Sequence, residues 1–206
     1  WDAMCLVPQF TMGELYYLWT VDEPVHTIDE MKGLSIRSVG DMAEAHALVE
    51  ANPVAMPMPD VYDALQKGTI DGGGFATAPI MGYKLYEACK YKTNLLLGAG
   101  GPTMIMNLSV FNDLPADIQK VIMDVSHDDA SAWLASREAD FLKEADDVYK
   151  QAGVTVIDPA SGEQRTYNAV AVAQVMEEWV NKMEDQGLPG EEVYKIFQAA
   201  ALKYSK

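Results

Sequence analysis

Apolar positions along the chain change period several times, and each change marks an element. Residues 14–20, ELYYLWT, are aromatic and apolar, consistent with a strand. Over 22–33, DEPVHTIDEMKG, the pattern lapses into a loop with one short helical turn: Thr27 can cap it, Glu30 stands three residues on, and Gly33 stops it. LSIRSV, 34–39, alternates as a strand does. Asp41 is placed to cap a helix reaching about Glu50, with Ala45, Leu48 and Val49 on one side. VAMPM, 54–58, predicts a short strand whose Pro57 puts it at a sheet edge or at the strand's end. Asp60 then caps a short helix in which Val61, Tyr62 and Leu65 share a face and which Gly68 closes. TID, 69–71, predicts a brief strand, followed by Gly72, Gly73 and Gly74 as a turn into a helix over 78–91 with Pro79 in its first turn.

The second half is more helical. Residues 93–97 and 103–110 predict strands on either side of a second glycine cluster, GAGGP at 98–102. LPADIQKVI opens a helix with Pro115 near its start. Ile118, Ile122, Val125, Trp133, Phe141, Ala145 and Val148 keep one register for about 35 residues, or roughly 50 Å. Asp129 interrupts that stripe and marks a bend or a passage between packing layers. Gly153 ends the run, VTVID is a strand, and two more helices span about 162–186 and 189–204. Short apolar strands alternating with helices predict an α/β fold with a largely parallel sheet, in which ligands sit at strand ends.

Charge narrows the functions. The chain has 206 residues and a formal charge of −16, from 15 Lys plus Arg against 31 Asp plus Glu. Phosphate backbones and anionic membrane surfaces are attracted by Lys and Arg, so nucleic acid and membrane surfaces are excluded as partners. No stretch of eighteen apolar residues is present. No basic segment followed by an apolar one opens the chain, which begins at Trp1 and is expected to be a processed or shortened product. Cys5 and Cys89 form no CxxC, and read as free thiols or as a single disulfide. His26, His46 and His127 show no metal-ligand spacing, so neither a metal nor a cofactor is expected.

No catalytic motif is present, so no residue is a catalytic candidate. The informative residue is Arg37. It lies near the end of a strand that should be largely buried, where a guanidinium is costly unless paired. Its planar fork suits a carboxylate, either on a ligand or on an internal Asp or Glu. The glycines at 72–74 and 98–101 read as turns needing positive φ, or as places where a ligand approaches the backbone.

Four segments in order, EPVHTIDEMKGLSIR, AMPMPDVYDALQKGTIDG, KLYEACKYKT and FNDLPADIQKVI, resemble the DctP-type solute receptors of tripartite ATP-independent periplasmic (TRAP) transporters. The resemblance implies a periplasmic protein with a type II-like two-lobe α/β fold that closes on a small organic acid, without covalent chemistry, and passes it to membrane permease subunits. It places Arg37 where the family grips the ligand carboxylate. It also puts Phe75 where a polar side chain is usual, so an apolar or aromatic solute portion is expected there. Gly73, Gly74, Phe75, Thr77 and Gly100 become the expected pocket wall, with backbone N–H groups reading part of the solute. Tyr62 is an aromatic contact or helix core. Family members are longer at the N-terminal side, which implies an incomplete first lobe: 1–14 a remnant of that lobe or hinge, 15–98 the second lobe, 99–142 first-lobe chain with the long helix, and 143–206 a return to the second lobe. Exposed apolar surface, a homodimer or association with a missing N-terminal portion is expected around the long helix. The alternatives are a partner-interaction module that has lost solute binding, and a small α/β hydrolase or transferase.

Overall fold

The structure, a computed structural model, describes residues 4–6, 14–100, 105–126 and 128–204. Strand β1 (Met4–Leu6) precedes the long strand β2 (Glu14–Thr20). A single helical turn at Ile28–Met31 follows, with the Glu30 carboxylate accepting from the Thr27 N–H, and leads into β3 (Ser35–Arg37). Helix α1 (Asp41–Leu48) starts from Gly40 at φ +58°, so Asp41 occupies the first turn rather than the cap. Strand β4 (Asn52–Val54) lies earlier than the alternation predicts, because Pro57 and Met58 already begin α2 (Met58–Gln66). Asp60 is likewise inside that helix, not its cap.

Then comes the largest departure from expectation. The glycines are not a turn: they are strand β5 (Gly72–Phe75), fully buried, and none has positive φ. The helix expected over 78–91 is short, α3 (Thr77–Gly82), and breaks where Lys84 adopts φ +54° before another single turn at Leu85–Glu87. Strand β6 (Tyr91–Gly100) absorbs the start of the second glycine cluster. Strand β7 (Ile105–Asn107) stops early because the Asn107 side chain accepts from the N–H groups of Ser109 and Val110, capping α4 (Leu108–Asn112); residues 103 and 104 lie outside the described residues.

The single long helix is instead two, α5 (Ala116–Val125) and α6 (Asp128–Ala152). At the break, Ser126 Oγ donates back to Ile122 O at 2.5 Å, a bond that competes with helix continuation. Gly153 at φ +79° ends α6 ahead of β8 (Thr155–Ile157). Helix α7 (Glu163–Tyr167) runs through a wider π-type turn at Asn168–Val172 into α8 (Ala173–Asp185), and α9 (Gly190–Tyr204) closes the chain. No helix among the described residues is long and apolar enough to cross a membrane.

Six strands form one sheet in the order β4-β3-β5-β2-β6-β8, and β1 pairs with β7 apart from it. Strands β4, β3, β5, β6 and β8 run one way; β2 alone is antiparallel to its neighbours. A core lies on each face. Leu18, Ile36, Leu95 and Leu97 meet Ala45 of α1 and Tyr167, Ala171 and Val175 of the α7–α8 run. Trp19 and Phe75 meet Val61 and Leu65 of α2, Ile80 of α3, and Ala145 and Tyr149 of α6. Successive residues Leu18 and Trp19 thus supply opposite cores, as the two-residue period of a strand requires. Cys89 is a free, buried thiol, so it makes no disulfide with Cys5. Apolar side chains on α5 and α6, including Val125 and Trp133 at 61% and 60% exposure, face solvent as expected.

The glycine strand explains itself sterically. A Cβ on Gly72 would lie 2.1 Å from the backbone oxygen of Trp19, and one on Gly73 would lie 2.3 Å from the Phe75 ring. Gly72→Ala is expected to cost about 3 kcal/mol, as overpacking against fixed backbone does. Gly82→Ala, with open space around the new methyl, should cost nothing. Urea midpoints of the two variants check this; equal midpoints would show that the sheet yields where it is described as rigid.

Candidate functional site

Strands β3, β5 and β6 all end at the same edge of the sheet, and their last residues, Arg37, Phe75 and Gly100, share the wall of one cavity of about 370 Å³. Crevices at the carboxyl ends of parallel strands are the usual ligand sites of α/β sheets. Tyr16 enters from the start of β2, which is antiparallel and therefore begins where the others end. Val39 and Met42 close one side from α1 and the turn before it; Met58 and Pro79 close another from α2 and α3.

Arg37 is the only cation of this wall among the described residues. It is half-buried, and Nε and Nη2 reach only the carbonyl oxygen of Met56, at 3.4 and 3.3 Å. No Asp or Glu among the described residues pairs with it, so the internal ion pair left open by the sequence is not formed among them. Burial lowers its pKa, while Tyr16 acts in the opposite direction. A guanidinium with unused donors, at the end of an otherwise apolar and aromatic cavity, can accept a carboxylate in two parallel hydrogen bonds.

Phe75 is 1% exposed and its ring folds back over Gly73. Gly73 therefore supports the wall without forming it, and it pairs on both sides, with Arg37 of β3 and Trp19 of β2. Gly74, in the wall itself, has no β3 residue opposite it, so one side of the backbone at 74–75 borders the cavity. Gly100 lines it too, from a strand rather than the expected loop; the next residue lies outside the described ones. Two predicted positions lie elsewhere. Thr77 lines a separate cavity of about 230 Å³ under α6, where Lys92 Nζ lies 5.0 Å from the Tyr17 ring centroid. Tyr62 donates to the Glu87 carboxylate at 3.1 Å and packs beside the second core. Tyr16, Val39, Met42, Met58, Pro79 and Ala99 were not foreseen; only Tyr16, an aromatic beside the sheet centre, carried a usable signal. No group of His, Cys, Asp and Glu among the described residues could hold a metal ion.

Residues 14–186 match the family described as bacterial extracellular solute-binding protein, family 7, named DctP. The chain belongs to this family. A solute-binding protein of Sulfitobacter sp. (strain NAS-14.1) is 33% identical over 121 residues, which are 56% of this chain and 36% of that protein. A TRAP periplasmic solute-binding protein from Desulfovibrio salexigens, solved with bound orotic acid, superposes with a TM-score of 0.85 at 24% identity. It shows the fold, and the match covers 98% of this chain and 63% of that one. A TRAP solute-binding protein from Rhodoferax ferrireducens, solved with copurified benzoate, superposes with a TM-score of 0.80 at 25% identity, over 96% of this chain and 64% of that one. The chain thus spans less than two thirds of these relatives. The solved relatives are TRAP periplasmic binding proteins of two lobes, which agrees with the fold class expected from the sequence.

In this family 7 chain one buried histidine lies behind the cavity floor. His46, 0% exposed, has Nδ1 2.5 Å from Ser38 Oγ, which itself donates to Ile36 O, while Nε2 has no partner. Its Cε1 comes within 3.6 Å of where a Gly74 Cβ would be. Both Ser38 and His46 are sealed from solvent, so the pair is no nucleophile and base for a solute. Burial lowers the His46 pKa from 6.5 to about 4. An unfolded chain binds a proton there near pH 6.5 and the folded chain only near 4. Stability is therefore fully present above pH 6.5 and falls as pH drops through that window, by on the order of 3 kcal/mol. Urea midpoints at about pH 7 and about pH 4.5 should show a larger acid loss for the natural protein than for His46→Gln; equal losses would remove His46 as the cause.

Proposed function

We propose that the chain is part of a periplasmic TRAP receptor that captures a small organic acid, holds its carboxylate on Arg37, and delivers it to membrane permease subunits. The observation that carries this reading is the half-buried Arg37 guanidinium, which ends the strand-end cavity with no carboxylate partner among the described residues. Leaving a charge half-desolvated costs stability unless a counter-ion arrives, so the site favours an anion over water. Binding makes and breaks no covalent bond, and the reading needs no cofactor. Residues 15–98 and 143–206 would form the second lobe, with 1–14 and 99–142 contributing to the first. The exposed apolar side chains of α5 and α6 give that lobe, or a second copy of the chain, a face to bury.

A thermal-shift screen of carboxylic acids tests the reading. Ligand at a hundred times its Kd adds about 2.7 kcal/mol, or roughly 5–10 °C for a chain of this size. Arg37→Ala should weaken binding about 100-fold, the loss of a charge-assisted bidentate pair, and cut the gain at the same ligand concentration to about 0.4 kcal/mol. An equal shift in the variant would discard Arg37 as the anchor.

A further inference from the structure

The cavity that holds Arg37 has a neighbour on its α1 side. A second and larger space, about 540 Å³, lies between α1, the end of β6, α8 and α9. The two spaces have Met42 and Ala99 in common. Met42 is therefore the partition between them, and it is a poor wall. Its sulfur lies 2.7 Å from where a Gly74 Cβ would be, and its methyl 3.6 Å from where a Gly98 Cβ would be. The side chain thus lies across the sheet face in room left by two glycines. It is half-buried, unbranched and held by no polar contact, so a ligand can displace it through ordinary rotamer changes.

The space beyond Met42 has a definite chemistry. Leu97, Val175, Met176, Trp179 and Phe197 line it, and Asp41 is its only charged residue among the described ones. A second carboxylate placed there would meet apolar side chains and a like charge, an arrangement that desolvation and repulsion both oppose. An alkyl chain or aromatic ring would instead be removed from water.

We propose, on the reading of Arg37 as carboxylate anchor, that the solute is an amphipathic monocarboxylate whose apolar tail passes Met42 into the cleft between α1, α8 and α9. The wall shared with the Arg37 cavity, Met42 and Ala99, is what assigns the cleft to the tail, rather than to another protein segment. The same arrangement selects against small dicarboxylates.

Isothermal titration of the protein with butyrate, octanoate, 4-phenylbutyrate and succinate tests this. Octanoate and 4-phenylbutyrate should bind at least about tenfold more tightly than butyrate, since each buried methylene adds to affinity. Succinate should bind most weakly. Met42→Ala removes the partition and should keep or enlarge the tail gain. Gly98→Val sets branched methyls against Met42 and should bring octanoate down to the affinity of butyrate. If butyrate and octanoate bind equally and both require Arg37, the tail cleft is wrong while the receptor reading stands. Tightest binding of succinate would overturn the amphipathic class in the same way. Binding of none of these acids, nor of any acid in the thermal-shift screen, would overturn the receptor reading itself, and the tail cleft with it.

Discussion

Between Gly72 and Phe75 the chain runs through the middle of the sheet with no room for side chains at its first two positions. A Cβ at Gly72 would press on the Trp19 carbonyl, and one at Gly73 would occupy the volume of the Phe75 ring. Much of the site follows from that close approach. The register sets Gly73 beside Arg37, so β3 ends one residue before β5 reaches Gly74. Beyond that point the β3 side of the backbone borders the cavity. Phe75, folded over Gly73, becomes a fixed wall of the cavity and a member of the core behind it at once. Gly74, on the other face, leaves the space in which Met42 lies.

The electrostatics work at two ranges. Over the whole chain, 31 acidic residues against 15 basic ones repel an approaching anion. That field is screened within about 8 Å at physiological ionic strength. Inside the cavity one half-buried guanidinium dominates, with no neighbouring carboxylate among the described residues to compensate it. A local positive charge in a low-dielectric setting outweighs a distant, screened negative one. The rest of the wall, with Phe75 and Tyr16 in it, is apolar and aromatic.

Much of this was legible before the fold was known. Arg37 stood out because three arginines in a chain of this charge are few and one lay at the end of an apolar strand. Glu30, Gly33 and Gly153 ended or capped elements where expected, since those effects act within a few residues. The interrupted hydrophobic stripe points to a bend at Asp129, but the helix breaks between Val125 and Asp128, where the Ser126 side chain bonds to the preceding turn. Thr77 is near Phe75 in sequence but not in the site. Two residues past the end of β5 the chain has turned into α3, and Thr77 faces the cavity under α6 instead.

By itself the sequence determined the alternation of helices and strands, the excess of acidic residues, and an arginine at a strand end, a side chain whose fork suits a carboxylate. Those properties rest on local periodicity and on residue chemistry. The tertiary structure decided why the glycines are there. Their meaning depends on atoms from residues distant in sequence, the Trp19 carbonyl and the Met42 side chain, which no local pattern can bring beside residues 72–74. It also decided that β2 runs against its neighbours and so brings Tyr16 to their carboxyl ends, and that Met42 separates two spaces. Strand pairing and side-chain contact across the sheet are long-range choices, fixed only when both partners are in place.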